Sequence, residues 1–137
     1  MRRNDMSEDA KFLMIAGAPA PVAPFSHAVK AGPVLFVTGQ MPTDPAENSR
    51  PPPEGVAAQT RRVVDNLKIV LGGAGYEWRD VVQARLYLTR FERDYAAMNE
   101  VWVALFSPGR LPARTCVGVT ALARGALVEI DLVAWRA

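Results

Sequence analysis

Helical periodicity is scarce in this chain, and that scarcity limits the folds open to it. Two stretches carry apolar residues at helical spacing, whereas five read as strands. Val34-Leu35-Phe36-Val37-Thr38 is a nearly continuous apolar run, short and β-branched, as a buried strand is. Ser26–Lys30 precedes it across the turn residues Ala31-Gly32-Pro33, so the two read as a hairpin. Val82, Ala84, Leu86 and Leu88 alternate with Gln83, Arg85 and Tyr87, the period of a half-buried strand. Leu111–Thr120 starts at a proline and runs into β-branched residues, and Leu127–Trp135 again alternates.

The first helical stretch, Gly55–Ala74, puts Val56, Val63, Leu67, Val70, Leu71 and Ala74 on one stripe. Its end is marked by Gly72-Gly73-Ala74-Gly75, read as a left-handed cap. That cluster is not a dinucleotide fingerprint, since it follows a helix and lacks the third spaced glycine. Asp94 reads as the N-cap of a second helix reaching about Phe106, with Tyr95, Met98, Trp102 and Leu105 as its stripe. The order is strand, strand, helix, strand, helix, strand, strand. That order predicts an α+β fold in which two helices cover one face of a mixed sheet. The other face carries apolar residues with no helix left to cover it, and oligomerisation is the economical solution.

A chain of 137 residues, half of them hydrophobic, is long enough for one domain with a real core. Residues 1–16 read as a polar, flexible extension and residues 17–137 as the single domain. Arg2-Arg3 ahead of Phe12–Ala16 resembles a signal peptide only faintly, because Asp5, Glu8 and Asp9 interrupt it. No apolar run reaches the roughly 20 residues of a membrane span, so a cytoplasmic location is expected. A net charge of +2 and the lack of a dense basic run argue against nucleic acid as partner. Cys116 and His27 are the only residues of their kinds, which excludes an intramolecular disulfide and a Cys/His zinc site within one subunit.

Polar residues in otherwise apolar elements are the candidates for chemistry. On the strand Leu111–Thr120, parity puts Arg114, Cys116, Gly118 and Thr120 on one side. Thr115, Val117 and Val119 take the other side, read as a core face. The Arg114 fork suits a carboxylate in bidentate contact, although taken alone it reads first as an ordinary strand-end arginine, solvated or paired with an acid. Glu129 and Asp131 share one face of the last strand, either at a solvated sheet edge or in structural salt bridges, or as a general acid/base near the strand of Arg114. Asn99 sits beside an apolar helical stripe, where asparagine is a poor helix former. Gly39 ends a buried strand and lets a backbone or a ligand approach closely.

Several pieces, in order and at similar separations, resemble the RidA/YjgF family of reactive intermediate deaminases. They are Ala23-Pro24-Phe25, Thr38-Gly39-Gln40, Gln59 through Asn66, Asn99, Pro112-Ala113-Arg114-Thr115-Cys116-Val117 and Val128-Glu129-Ile130-Asp131. The resemblance runs from Ala18 to Arg136, and the Pro-Ala-Arg-Thr-Cys-Val piece is its most specific part. It implies a chorismate-mutase-like α+β fold, homotrimers, and sites in the clefts between subunits. It also implies hydrolysis of enamine and imine carboxylates, such as 2-aminoacrylate and its imine tautomer, to 2-keto acids and ammonia, without metal or organic cofactor.

On that resemblance Arg114 binds the substrate carboxylate and Glu129 orients and activates the attacking water. Cys116 lines the site through its backbone and is not a nucleophile, and Asn99 and Gly39 also line it. Thr38 replaces a common serine, Phe25 stands where many active members carry tyrosine, and Trp102 is bulkier than usual. Three other readings compete: a ligand-binding trimer without turnover, a pathway-specific deaminase for a larger aminomuconate-like substrate, and an RNA-cleaving activity. The weak net charge and the lack of a histidine pair argue against the last.

Overall fold

A computed structural model of the chain describes residues 9–137. Six strands form one mixed sheet: β1 (Lys11–Leu13), β2 (Ala28–Ala31), β3 (Val34–Gln40), β4 (Val81–Leu88), β5 (Ala113–Gly118) and β6 (Val128–Trp135). The helices are α1 (Val56–Gly73) and α2 (Phe91–Val103). The strand order is β1-β2-β3-β6-β4-β5. All neighbours are antiparallel except β4 and β5, which run parallel because α2 carries the chain back between them.

Both helices pack on one face, α1 over β3 and β6 and α2 against β4 and α1. Period-two alternation feeds that layer. Leu35 and Val37, Ala84, Leu86 and Leu88, and Val128, Ile130, Leu132 and Ala134 are all buried beneath Val63, Leu67, Val70, Leu71 and Met98 of the helices. The α1 end is a Schellman cap. Tyr76 N–H donates to Leu71 O at 2.8 Å, Gly75 N–H donates to Gly72 O at 3.1 Å, and Gly75 takes a φ of 86°.

The opposite face has no helix. Phe12, Val29, Phe36 and Val133 align across β1, β2, β3 and β6 as one apolar row on it. Phe36 is half exposed, as is Trp135 further along β6.

Four expectations need correction. The polar extension expected over residues 1–16 contains strand β1, which pairs with β2 and gives the sheet its sixth strand. Residues 1–8 lie outside the described residues. Beyond β1, Ile15 is buried: its N–H donates to His27 Nδ1 at 2.8 Å, while His27 Nε2–H donates to Pro19 O at 2.8 Å. Ile15 Cγ2 occupies the space a Cβ on Gly73 would need.

Asp94 is not an N-cap. The helix starts at Phe91, and Asp94 is a buried first-turn residue whose carboxylate accepts two bonds from Arg93. Val82 faces solvent instead of joining Ala84, Leu86 and Leu88, because a register shift between Val81 and Gln83 puts Val81 in the core. Finally, Thr115 and Val117 are exposed, because β5 is an edge strand whose other face, bearing Arg114 and Cys116, is turned to the helices.

Candidate functional site

Arg114 is opposite Ala84 in the parallel β4/β5 pairing, so its side chain emerges on the helix-covered side of the sheet. There α2 offers Tyr95 and Asn99, four residues apart and hence on one helical face. Arg114 Nη1 donates to Asn99 Oδ1 at 2.7 Å and Nη2 donates to Tyr95 Oη at 3.0 Å. The guanidinium carbon sits 5.7 Å from the centroid of the Tyr95 ring, which stacks on Phe91 at 4.7 Å.

Among the described residues no carboxylate pairs with Arg114. Its charge is therefore met by neutral oxygens and a ring face, and its remaining N–H donors can take an anion. Cys116 follows on the same strand face, half-buried, and burial pushes its thiol up although the Arg114 charge pulls the other way. A thiol held protonated is a poor nucleophile.

Glu129 lies on the other face. It is directly opposite Tyr87 on β4, in the alternate positions to those that fill the core. Its carboxylate rests against Gly39 of β3, where any Cβ would collide with Oε2, Cδ and Cγ of Glu129. The glycine expected to admit a backbone or ligand thus admits the Glu129 side chain. The Glu129 carboxylate makes no hydrogen bond or ion pair among the described residues, and burial, then the neighbouring Asp131 charge, push its proton affinity above the ordinary 4.5. Asp131 has the structural role weighed for this pair. Arg85 Nε and Nη2 donate to its two oxygens at 2.9 and 3.0 Å, and the Tyr87 hydroxyl donates to Oδ2 at 3.1 Å.

Thr38 and Gly39 line a groove of about 370 Å³ on this open face with Phe36, Arg85 and Asp131. The Thr38 hydroxyl donates to Ser26 O at 2.6 Å, which brings Phe25, one residue earlier and 37% exposed, to the same end of β3. The expected site residues therefore fall into two groups. Arg114, Asn99 and Cys116 lie on the helix side, whereas Glu129, Gly39, Thr38 and the segment carrying Phe25 belong to the β3/β6 side. Strand β4 runs between the strands of Arg114 and Glu129, and the two side chains leave the sheet on opposite faces.

Trp102 is not a pocket wall. It is 4% exposed, packed edge-on to Trp78 at 6.1 Å and against Phe106 at 4.9 Å. Tyr95 escaped the sequence reading because it falls on the apolar stripe of α2, and only its hydroxyl separates it from a core aromatic. The stretch from Gln59 to Asn66 acts at a distance. The Gln59 amide donates to Pro53 O and its Oε1 accepts from Leu127 N–H just before β6, while Asn66 donates to Met41 O and Thr43 O just after β3. These bonds fix the two strand ends that carry Glu129 and Gly39. Among the described residues no three His, Cys, Asp or Glu side chains gather as metal ligands would. No helix among them is long and apolar enough to cross a membrane.

Comparison with known proteins places these features in a family. The family model described as Endoribonuclease L-PSP matches residues 15–136. A RutC family protein of Pyrococcus horikoshii is 40% identical over 119 residues, covering 87% of this chain and 92% of its own. The mouse 2-iminobutanoate/2-iminopropanoate deaminase is 33% identical over 124 residues, covering 90% of each chain. The crystal structure of RidA from an Antarctic Psychrobacter superposes with a TM-score of 0.85 at 36% identity, covering 92% of this chain and 99% of its own.

Proposed function

The chain belongs to the RidA/YjgF family, and on that footing we propose that it hydrolyses enamine and imine carboxylates of the 2-aminoacrylate type to 2-keto acids and ammonia. The observation that carries this reading is the Arg114 guanidinium, held by Asn99 and Tyr95 yet unpaired with any acid among the described residues. A small anionic substrate with a planar carboxylate is the partner such a fork suits.

In the proposed reaction the imine carboxylate sits on Arg114, which removes much of the orientational entropy of the encounter. Water attacks the carbon of the imine, whose nitrogen is protonated, while the Glu129 carboxylate takes a proton from the water, giving a neutral carbinolamine. Glu129 passes that proton to the amine nitrogen, the C–N bond breaks as the hydroxyl proton goes back to the Glu129 carboxylate, ammonia leaves, and the C=O of the keto acid forms. An enamine enters after tautomerising to the imine. A glutamate with a raised proton affinity suits both transfers. The chemistry calls for no metal and no organic cofactor.

Arg114 and Glu129 leave the sheet on opposite faces, so the pair from one subunit cannot close on one small molecule. The reading therefore places each site between copies of the chain in a homotrimer. One copy supplies Arg114, Asn99 and Cys116, and another supplies Glu129, Gly39, Thr38 and Phe25. The uncovered apolar row on the sheet supplies the hydrophobic surface for such an assembly. A reducing, cytoplasmic compartment fits a single half-buried cysteine.

The test generates 2-aminoacrylate in place with a dehydratase and follows its disappearance and pyruvate formation. Wild type should accelerate release over the buffer rate, and Arg114→Ala should not. No acceleration by wild type would overturn the reading. Phe25, in place of a tyrosine, favours one alternative: a trimer that binds such carboxylates without turning them over. Ligand binding that depends on Arg114 but gives no keto acid would establish that alternative.

A further inference from the structure

We propose that Asp131, clamped by Arg85 and Tyr87, is a positioning residue that sets the proton affinity of Glu129. The inference rests on the hydrolase reading above, in which Glu129 exchanges protons with water and the amine.

Strand periodicity places Glu129 and Asp131 on the same face of β6, two residues apart. The register of β4 then sets Tyr87 directly opposite Glu129 and Arg85 directly opposite Asp131. Asp131 accepts three hydrogen bonds, two from Arg85 at 2.9 and 3.0 Å and one from Tyr87 at 3.1 Å, so its carboxylate is fixed in place. Glu129 accepts none among the described residues and lies over Gly39.

The groups facing Glu129 can be named element by element. Strand β6 supplies Asp131, β4 supplies Tyr87 and Arg85, and β3 supplies the uncharged Thr38 and Gly39. The helices are on the other side of the sheet. Within one subunit the charged neighbourhood of Glu129 is thus one anion and the cation that clamps it, and in the trimer proposed above the Arg114 of another copy joins them unchanged in every variant compared below. Burial and the Asp131 charge hold the Glu129 carboxyl up. Within one subunit Arg85 offsets Asp131 only in part, since its side chain is 61% exposed and screened by water whereas that of Asp131 is 18% exposed. The clamp therefore works as a balance: loss of the anion should lower the proton affinity of Glu129, and loss of the cation should raise it.

The test compares wild type, Asp131→Asn and Arg85→Met. It reads the pH profile of kcat/KM with 2-aminoacrylate and, separately, the titration of the Glu129 carboxyl by carbon NMR. The acid limb and the NMR midpoint should move to lower pH in Asp131→Asn and to higher pH in Arg85→Met, each by about half a pH unit or more. Asp131→Asn keeps a hydrogen-bonding side chain, and Arg85→Met changes an exposed one, so both variants should fold. A merely structural clamp would change rate or stability and leave both midpoints fixed, which would overturn the inference while wild-type turnover stands. If wild type shows no turnover, the hydrolase reading fails, and the NMR midpoints still decide whether Asp131 and Arg85 govern Glu129.

Discussion

The Glu129 carboxylate occupies the space in which any other residue at position 39 would carry its Cβ. Gly39 belongs to β3 and Glu129 to β6, so the contact fixes the acid against the neighbouring strand's backbone. The φ of Gly39 is not among the positive ones, so alanine fits the backbone there and the conflict is purely with Glu129. Gly39→Ala should fold at a cost of about 1–3 kcal/mol from overpacking and lose roughly 100-fold in turnover, because the acid is displaced by an ångström or more. Thermal unfolding and pyruvate release measure the two effects separately. Unchanged turnover would show that the position of Glu129 does not matter.

Arg114 is held in its orientation by two oxygens, and this predicts a graded series. Tyr95→Phe keeps the ring against Phe91 and removes one acceptor from the guanidinium. It should cost about 1–2 kcal/mol of carboxylate binding, read as roughly tenfold in KM with kcat little changed. Arg114→Lys replaces the fork with a point charge that cannot reach Asn99, Tyr95 and a substrate together. It should lose roughly 100-fold or more in kcat/KM. Equal steady-state constants in Tyr95→Phe and wild type would remove the tyrosine from the account.

The raised proton affinity of Glu129 also affects stability. Its carboxyl binds a proton more tightly in the folded chain than at the ordinary 4.5 of an unfolded one. This contribution favours folding fully below about 4.5 and is lost as pH rises through the raised value. At neutral pH the ionised group works against folding. Glu129→Gln should therefore match or exceed the wild-type Tm at neutral pH, lose that advantage in acid, and release no keto acid above background. A neutral-pH Tm well below wild type would contradict this assignment of strain.

Two inactive variants should complement one another if each site draws on two copies. In trimers assembled from equal amounts of Arg114→Ala and Glu129→Gln, about a quarter of the sites join an intact arginine to an intact glutamate. Mixing by co-refolding should restore roughly that share of wild-type turnover. A site contained within one subunit predicts no recovery at all.

Much of the fold follows from local pattern. The alternation over Val128–Trp135 and over most of Val81–Leu88, the hairpin at Gly32-Pro33 and the glycine stop after α1 are all short-range signals, and each appears in the structure. The misreadings arise where a distant partner decides. Lys11–Leu13 is too short to show a period and becomes a strand only because β2 offers an edge. Thr115 and Val117 look like core, yet β5 lies at the sheet edge with its helix-facing side given to Arg114. Arg114 and Asn99 each stand out as polar residues in apolar elements, but the hydrogen bond between them depends on the fold and is not legible in either. That Arg114 and Glu129 part to opposite faces was not legible, because it depends on β4 lying between their strands.

Ile15 fits into the notch left at Gly73, and His27 accepts its backbone N–H. A protein trimmed to start at residue 17 would uncover the tail of α1 and leave a buried imidazole nitrogen unsatisfied. It would also strip a strand from the sheet edge beside β2. A durable expression boundary therefore lies before Lys11, and any affinity tag belongs further upstream still.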